Sequence, residues 1–484
     1  MKKTVRNIII MIVVLAVLGG AAFVLLQMPQ ENTGEESSSL LSSSSEATEA
    51  VMEADEADVE SIKIKNSEDE FTLIPEKTAE AIDFTLEDCS GFDLNTAQIS
   101  SNARTLLNLS ASKNLGGQED LGAFGLDSQG AAVTINYKDG GSDKLVLGNE
   151  AGESAGRYVL KDGTVYIVAG VPANFYGSKF EYFNLAVYTV ADRTEVKVDE
   201  DGSSSESAGQ DILYEITFSG AQYPDPITIE YSSKSSSEYL MTQPVVAESG
   251  NTPFNELMST LKSLTATGIA DVKITEEKLE KYGLTEPDAQ IAFNLNDSEH
   301  KLAVSAKDSE GYRYMIADDK DIIYRVANGL VNKWAETNVT GLRMSYIWIP
   351  HIQNVEKLTI TLDGDQVKEY NVTRTVNEEK STEDSKKYDL AVVDSQGNAV
   401  NYEEAYQPFY QKLIGLAVFS QEAVEYEGTP ALRVEYQYFD GGKDVLELYA
   451  ISGGGQNRYA ALLNGVFNGQ VRGSEVKTIV ELVP

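Results

Sequence analysis

A short hairpin is written three times along this chain, and that repetition constrains the fold more than any other feature. Residues Tyr137 to Leu147 read Tyr-Lys-Asp-Gly-Gly-Ser-Asp-Lys-Leu-Val-Leu, and residues Tyr438 to Leu448 read Tyr-Phe-Asp-Gly-Gly-Lys-Asp-Val-Leu-Glu-Leu. The second stands 301 residues after the first without a gap, and seven of the eleven positions are identical. The same spacing carries Arg157-Tyr158 onto Arg458-Tyr459 and Val165-Tyr166 onto Val466-Phe467. A looser middle copy has Ile291, Phe293 and Leu295, then Leu302 and Val304, Arg313-Tyr314 and Ile323-Tyr324. In the first copy Val133, Ile135 and Tyr137 share one face; in the third, Leu432, Val434, Tyr436 and Tyr438 do so. Such alternation marks strands with one buried side. The chain is therefore predicted to be a tandem array of β-meanders.

The repeat extends on both sides of the hairpin. Alternating strands open each unit at Val59 to Ile64, Thr194 to Val198 and Val355 to Ile360. Return strands are expected at Phe71 to Ile74, at Ile212 to Phe218 with Ile227 to Tyr231, and at Val367 to Val372. Asp201-Gly202 and Asp363-Gly364 supply the positive-φ chemistry of tight turns. A helix is expected in each unit, over Ala103 to Leu109, over Phe254 to Leu264 with Thr252 as cap and Pro253 in the first turn, and over Tyr406 to Leu416. A Leu-x-x-Leu pair recurs in all three: Leu106/Leu109, Leu261/Leu264 and Leu413/Leu416. Phe124-Gly125-Leu126 and Tyr282-Gly283-Leu284 form an aromatic-Gly-Leu corner before the first two hairpins. Closing helices are expected at Pro172 to Phe180, Ala327 to Ala335 and Ser474 to Val480. The result is an α+β chain of three units, 59–192, 193–350 and 351–484, each an antiparallel sheet with a packed helix. Asp201 to Gln210, Ser232 to Glu238 and Asn377 to Lys387 read as surface insertions.

The first 58 residues differ in kind. Lys2, Lys3 and Arg6, within a segment 1–7, precede an uncharged apolar run from Ile8 to Leu26. That run is long enough to span a bilayer as a helix, and the basic flank places residues 1–7 in the cytoplasm. An uncleaved anchor is preferred to a cleaved signal because the core is long and Ala21-Ala22-Phe23 suits a signal peptidase poorly. Residues 27–58 are rich in Ser and Glu, with no Lys or Arg between Glu31 and Ile62, and are expected to be a disordered acidic stalk. The bulk of the chain is thus expected outside the cytoplasm, tethered by a single pass.

Function classes narrow by elimination. With 39 basic against 76 acidic residues the chain carries a formal charge of −37, which repels nucleic acid. One cysteine, Cys89, excludes an intrachain disulfide and four-ligand thiolate zinc; His300 and His351 are too few for an imidazole-based metal site. Neither a metal nor a cofactor is expected. Ser110-Ala-Ser-Lys113 matches the serine-x-x-lysine pattern, but the required downstream motifs are missing and Ser100-Ser-Asn102 lies upstream. A Ser-His-Asp arrangement would have to use His300, read as part of the middle hairpin's turn, or His351, at a unit junction. Both are read as surface or junction residues. Gly453-Gly-Gly455 is a flexible turn.

The most specific polar feature is the repeated Arg157-Tyr158, Arg313-Tyr314 and Arg458-Tyr459. Three guanidinium–aromatic pairs on equivalent strands could bind carboxylates or stack on sugars. The structural alternative, in which each Arg pairs with a nearby acid and each Tyr packs inward, is preferred, because duplication preserves scaffold residues as readily as functional ones.

Taken together, the anchor, the stalk, the aromatic-Gly-Leu corner and the Arg-Tyr…Val-Tyr ending resemble the bacterial domain-of-unknown-function 4340 family. Tyr239-Leu-Met-Thr-Gln-Pro244 resembles that family's strand-to-proline lead into a helix, with Tyr239, and Phe71 in the first unit, as its aromatic. The resemblance covers Val59 to Val483. It implies a membrane-anchored extracytoplasmic protein, commonly encoded beside ABC transporter subunits of the gliding-motility type, and carries no catalytic residues. The expectation is a non-enzymatic accessory subunit that contacts the permease subunits of an ABC-type complex. A stand-alone surface module binding cell-wall glycan or an external protein is the alternative.

Overall fold

The computed structural model describes residues 49–484 apart from 79–80, 128–129, 153–155, 199–203, 233–236, 382–385 and 453–456. The expected anchor at 8–26, residues 1–7, the stalk as far as 48, the Asp201-Gly202 turn and Gly453 to Gly455 lie outside the described residues. Among the described residues no helix is long and apolar enough to cross a membrane.

Three large antiparallel sheets follow one another, and a run of seven strands keeps the same order in all three while the edges differ. The first runs, edge to edge, Ile82–Leu86, Glu70–Lys77, Val59–Lys65, Ala131–Tyr137, Ser142–Glu150, Arg157–Lys161, Thr164–Val168, Asn108–Gly116 and Glu49–Glu53. In each unit the opening strand lies beside the first strand of the repeated hairpin, although a helix and a long excursion separate them in sequence. Val59 pairs with Tyr137 in the first sheet and Val355 with Tyr438 in the third. The hairpin itself folds the same way twice. Tyr137 N–H donates to Gly141 O at 2.9 Å and Tyr438 N–H to Gly442 O at 2.8 Å. The two tyrosine hydroxyls donate to Asp143 and Asp444 at 2.8 and 2.7 Å. The Asp-Gly-Gly turn explains the conservation between copies: Gly140 and Gly441 sit at φ 89° and 84°, where a side chain is strained.

Several expectations need correction. The second unit opens with Leu213–Ser219, which pairs with the hairpin strand Ala289–Leu295. Thr194–Val198 instead forms a separate two-stranded arm with Ser204–Ala208. Both segments alternate, so period alone does not separate them; the buried Leu213, Ile216 and Phe218 do. The stalk also ends early. Glu49–Glu53 is the edge strand of the first sheet, Val51 and Met52 are buried, and Arg104 bonds Glu56 at 2.9 Å. Averaged acidity hides the two apolar residues whose burial fixes this segment.

The helices move too. The first spans Thr96–Leu107, capped by Asn95; the second spans Thr252–Thr260, where the cap is Asn251 and not Thr252; the third spans Gln407–Ile414. The Leu-x-x-Leu pair therefore lies at the helix end, where Leu261 is already the cap residue after Thr260. Leu106 is helical while Leu109 lies on the next strand, and Leu264 and Leu416 likewise lie past their helices. All six leucines are buried, so the motif marks a corner, not a helical stripe. The closing helices form at Asn328–Ala335 and Gly473–Leu482, but the first unit closes with two single 3-10 turns, Ala173–Tyr176 and Lys179–Tyr182. Tyr239 has its counterpart in Tyr388, since each starts the strand next to the return strand; Phe71 lies one strand earlier.

One core runs through the first two units and a second fills the third. The first junction is a small sheet of Ala186–Thr189 with Ser263–Thr265. At the second, buried Arg343 donates to Asn468 O at 2.8 Å and to Asn468 Oδ1 at 2.7 Å.

Candidate functional site

The repeated Arg-Tyr lands on equivalent strands in all three sheets: Arg157–Lys161, Tyr312–Ala317 and Arg458–Leu463. The three copies are not used alike. In the first, Arg157 sits over the Tyr176 ring at 4.3 Å and reaches Glu150 at 3.1 Å. Burial pushes the Tyr176 phenol up to about 12, with Arg157 opposing. In the second, Arg313 is only 4% exposed. Its guanidinium donates to Asp288 at 2.6 Å, Asn328 at 2.6 Å, Ser305 O at 2.8 Å and Glu336 at 3.2 Å. Lys307 first, and then Arg313 and Asn328, hold the Glu336 carboxyl below the usual carboxylate range against the opposing effect of burial.

The tyrosines of the first two copies meet the other repeated motif. Tyr158 packs edge-on against Phe124 at 4.9 Å, and Tyr314 packs against Tyr282 at 4.6 Å. Both partners are the aromatic of the aromatic-Gly-Leu corner. The intervening Gly125 and Gly283 adopt φ 64° and 67°, and a Cβ on Gly125 would come 2.5 Å from Asn149. Two motifs that seemed separate in sequence are thus one ring contact that docks the corner on the sheet. In these two copies each Arg faces a carboxylate and each Tyr packs on the corner aromatic.

The third copy departs. Tyr459 still packs on its core, but Arg458 is exposed and stands over Phe419 at 4.9 Å. Arg472 approaches the same ring at 5.0 Å, directly opposite Arg458 on the neighbouring strand Val466–Arg472. Phe419 is 44% exposed. Sequence reading missed Phe419 and Arg472, yet a signal was present: the 301-residue spacing puts Ile451 where the first copy has the paired Glu150.

His300 needs a second correction. It lies on the strand Ser298–Val304, not in the turn, which is made by Asn296 and Asp297 at φ 53° and 64°. Ser298 Oγ is 3.1 Å from its Nε2, and Asp318 Oδ2 is 3.0 Å from its Nδ1. In the tautomer whose Nδ1–H donates to Asp318, Nε2 is left to accept from Ser298. This is the order of a nucleophile, base and orienting acid. The imidazole, however, stacks on Tyr188 at 4.3 Å and packs on Phe293 at 5.3 Å, leaving 11% of the side chain exposed. Tyr188 belongs to the first junction, so the stacking ties the imidazole to it. An open cavity of about 480 Å³ is lined by His300 and Asp318 together with Glu215, Asn294, Glu299 and Lys301, but Ser298 is not part of its wall. The relay therefore reads as a clamp on the junction. A fluorophosphonate serine probe is expected to leave Ser298 unmodified in the folded chain; labelling lost in Ser298→Ala would instead make it a nucleophile. His351 caps the turn Ile352–Asn354, and burial lowers its pKa. Ser110 and Lys113 lie exposed along the strand Asn108–Gly116.

Comparison with known proteins matches the chain, over residues 85–200 and 241–418, to a family model described as Domain of unknown function (DUF4340). No curated protein and no solved structure matches it. The family match stops before the third hairpin, whereas the shared strand order continues through it.

Proposed function

Because the chain belongs to the DUF4340 family, we propose that it is a membrane-anchored, extracytoplasmic accessory subunit of an ABC-type transport complex, acting by binding and not by catalysis. One observation carries this reading: two of the three Arg-Tyr copies are absorbed in the scaffold, while the third leaves its guanidinium on the surface. A duplicated scaffold in which one copy presents an exposed guanidinium–aromatic cluster suits partner recognition. The apolar segment 8–26 with its basic flank supports the tether, and the family's usual neighbours support the transporter.

Affinity purification of the full chain from detergent-solubilised membranes is expected to bring down permease subunits in stoichiometric amount. An unaltered set of co-purifying proteins after deletion of the adjacent transporter genes would sink this assignment. The exposed Arg458–Phe419–Arg472 face also fits the second reading, a stand-alone surface module. Retention of the chain on purified cell wall, without permease subunits in the membrane pull-down, would select it.

A further inference from the structure

We propose that Arg458, Phe419 and Arg472, with Tyr346 beside them, form a docking surface for an extended acidic segment of a partner protein. Two carboxylates at alternate positions engage the two guanidiniums, and a neighbouring apolar side chain covers the rings. This goes beyond the transporter assignment and holds equally for a stand-alone surface module.

The first support is internal to the molecule. At equivalent positions Arg157 has Glu150, and Arg313 has Asp288 and Glu336. The third copy has Ile451 at the place of Glu150, and among the described residues neither Arg458 nor Arg472 has an ion-pair partner. The two arginines face each other across an antiparallel pair, where like charges repel. In a chain with 76 acidic residues, leaving two cations together and unpaired is conspicuous, and a bound anion relieves the repulsion.

The geometry selects the anion. A guanidinium laid on a ring keeps its in-plane N–H fork free, and that fork matches a carboxylate. Both guanidinium carbons lie within 5.0 Å of one ring centroid, close enough for side chains that alternate along an extended strand about 7 Å apart. Beside them, the backbone of Tyr346 bridges that of Ala417, two residues before Phe419. Tyr346 and Phe419 are 39% and 44% exposed. Exposed Tyr, Phe and Arg side by side match the composition of protein-binding hot spots. A phosphate polymer would satisfy the guanidiniums but leave both rings in water, so a polypeptide is the better fit.

The test uses the full chain and a labelled peptide containing Glu-Thr-Glu-Thr-Leu, followed by fluorescence anisotropy. Arg458→Gln, Arg472→Gln and Phe419→Ala are each expected to weaken binding tenfold or more, with the thermal midpoint unchanged. Arg157→Gln, in the already paired copy, should bind as the parent does. A Gln-Thr-Gln-Thr-Leu twin should bind at least tenfold more weakly. The proposal is overturned if the parent does not bind the peptide, if the twin binds equally, or if the Arg458 and Arg472 variants bind like the parent. Displacement of the peptide by inorganic polyphosphate at equal charge, with Phe419→Ala without effect, would reassign the face to anionic polymers.

Discussion

Replacing Arg313 by alanine is expected to destabilise the second unit by about 2–3 kcal/mol, while the same change at Arg458 costs less than about 0.5 kcal/mol. The difference follows from what each side chain leaves behind. Arg313 is 4% exposed and bonds two carboxylates, a carbonyl and an amide oxygen. Its removal strands Asp288, which is 27% exposed and so regains only part of its hydration, whereas Glu336 keeps Lys307 and Asn328. That partial exposure keeps the expected cost below the full penalty for a fully buried pair. Arg157 should fall between the two, at about 0.5–1 kcal/mol, since its partner Glu150 is 79% exposed. Urea unfolding followed by Trp334 fluorescence reports the Arg313 effect directly, because Trp334 lies in the helix next to Glu336; Trp348→Phe removes the other tryptophan. Equal losses at all three positions would show that the Arg copies share one role.

The third unit should unfold cooperatively in alkali, with its phenolate absorbance appearing during unfolding and not in an earlier free titration. Tyr406, Tyr410, Tyr436 and Tyr438 are buried together, and Tyr406 stacks on Tyr410 at 6.1 Å. Burial in the first place raises the pKa of each; for Tyr438 the Asp444 carboxylate adds to it. The folded state therefore holds these protons at a pH where the unfolded chain, with phenols near 10, releases them. Their contribution to stability is complete below about pH 10 and falls as pH rises, by up to about 1.4 kcal/mol per pH unit for each phenol. Four such groups would exhaust the stability of an ordinary domain within roughly two pH units. Among the described residues the Tyr406 and Tyr436 hydroxyls have no hydrogen-bond partner. Tyr436→Phe should therefore hold or raise stability at neutral pH, by up to about 1 kcal/mol, and shift the alkaline midpoint upward. Tyrosine titration complete before any loss of circular dichroism would contradict the burial of the cluster.

What could be read in advance was local. The Asp-Gly-Gly hairpin, the alternation of Val133, Ile135 and Tyr137, and the aromatic-Gly-Leu corner each depend on neighbours a few residues away. The same short-range logic misplaced Leu109, Leu264 and Leu416 on helices, because spacings of three also arise where a helix turns into a strand. It left His300 in a turn, whereas the tight Asn296-Asp297 loop puts His300 on the strand beside Ser298.

Residue pattern alone was enough to establish three like units, each of antiparallel strands around a repeated hairpin, with Arg-Tyr on the same strand in all of them. Folding was needed to show which alternating segment opens the second unit, that Asp318 completes the His300 relay, and that Arg157, Arg313 and Arg458 have unlike surroundings. The physical reason is range. Turn chemistry and side-chain period are set by the nearest residues, but a guanidinium's partner comes from whichever strand, helix or loop the register brings beside it. Asp288 lies 25 residues from Arg313 and the Phe419 ring comes from the segment that crosses to the last strand. No local pattern specifies either meeting.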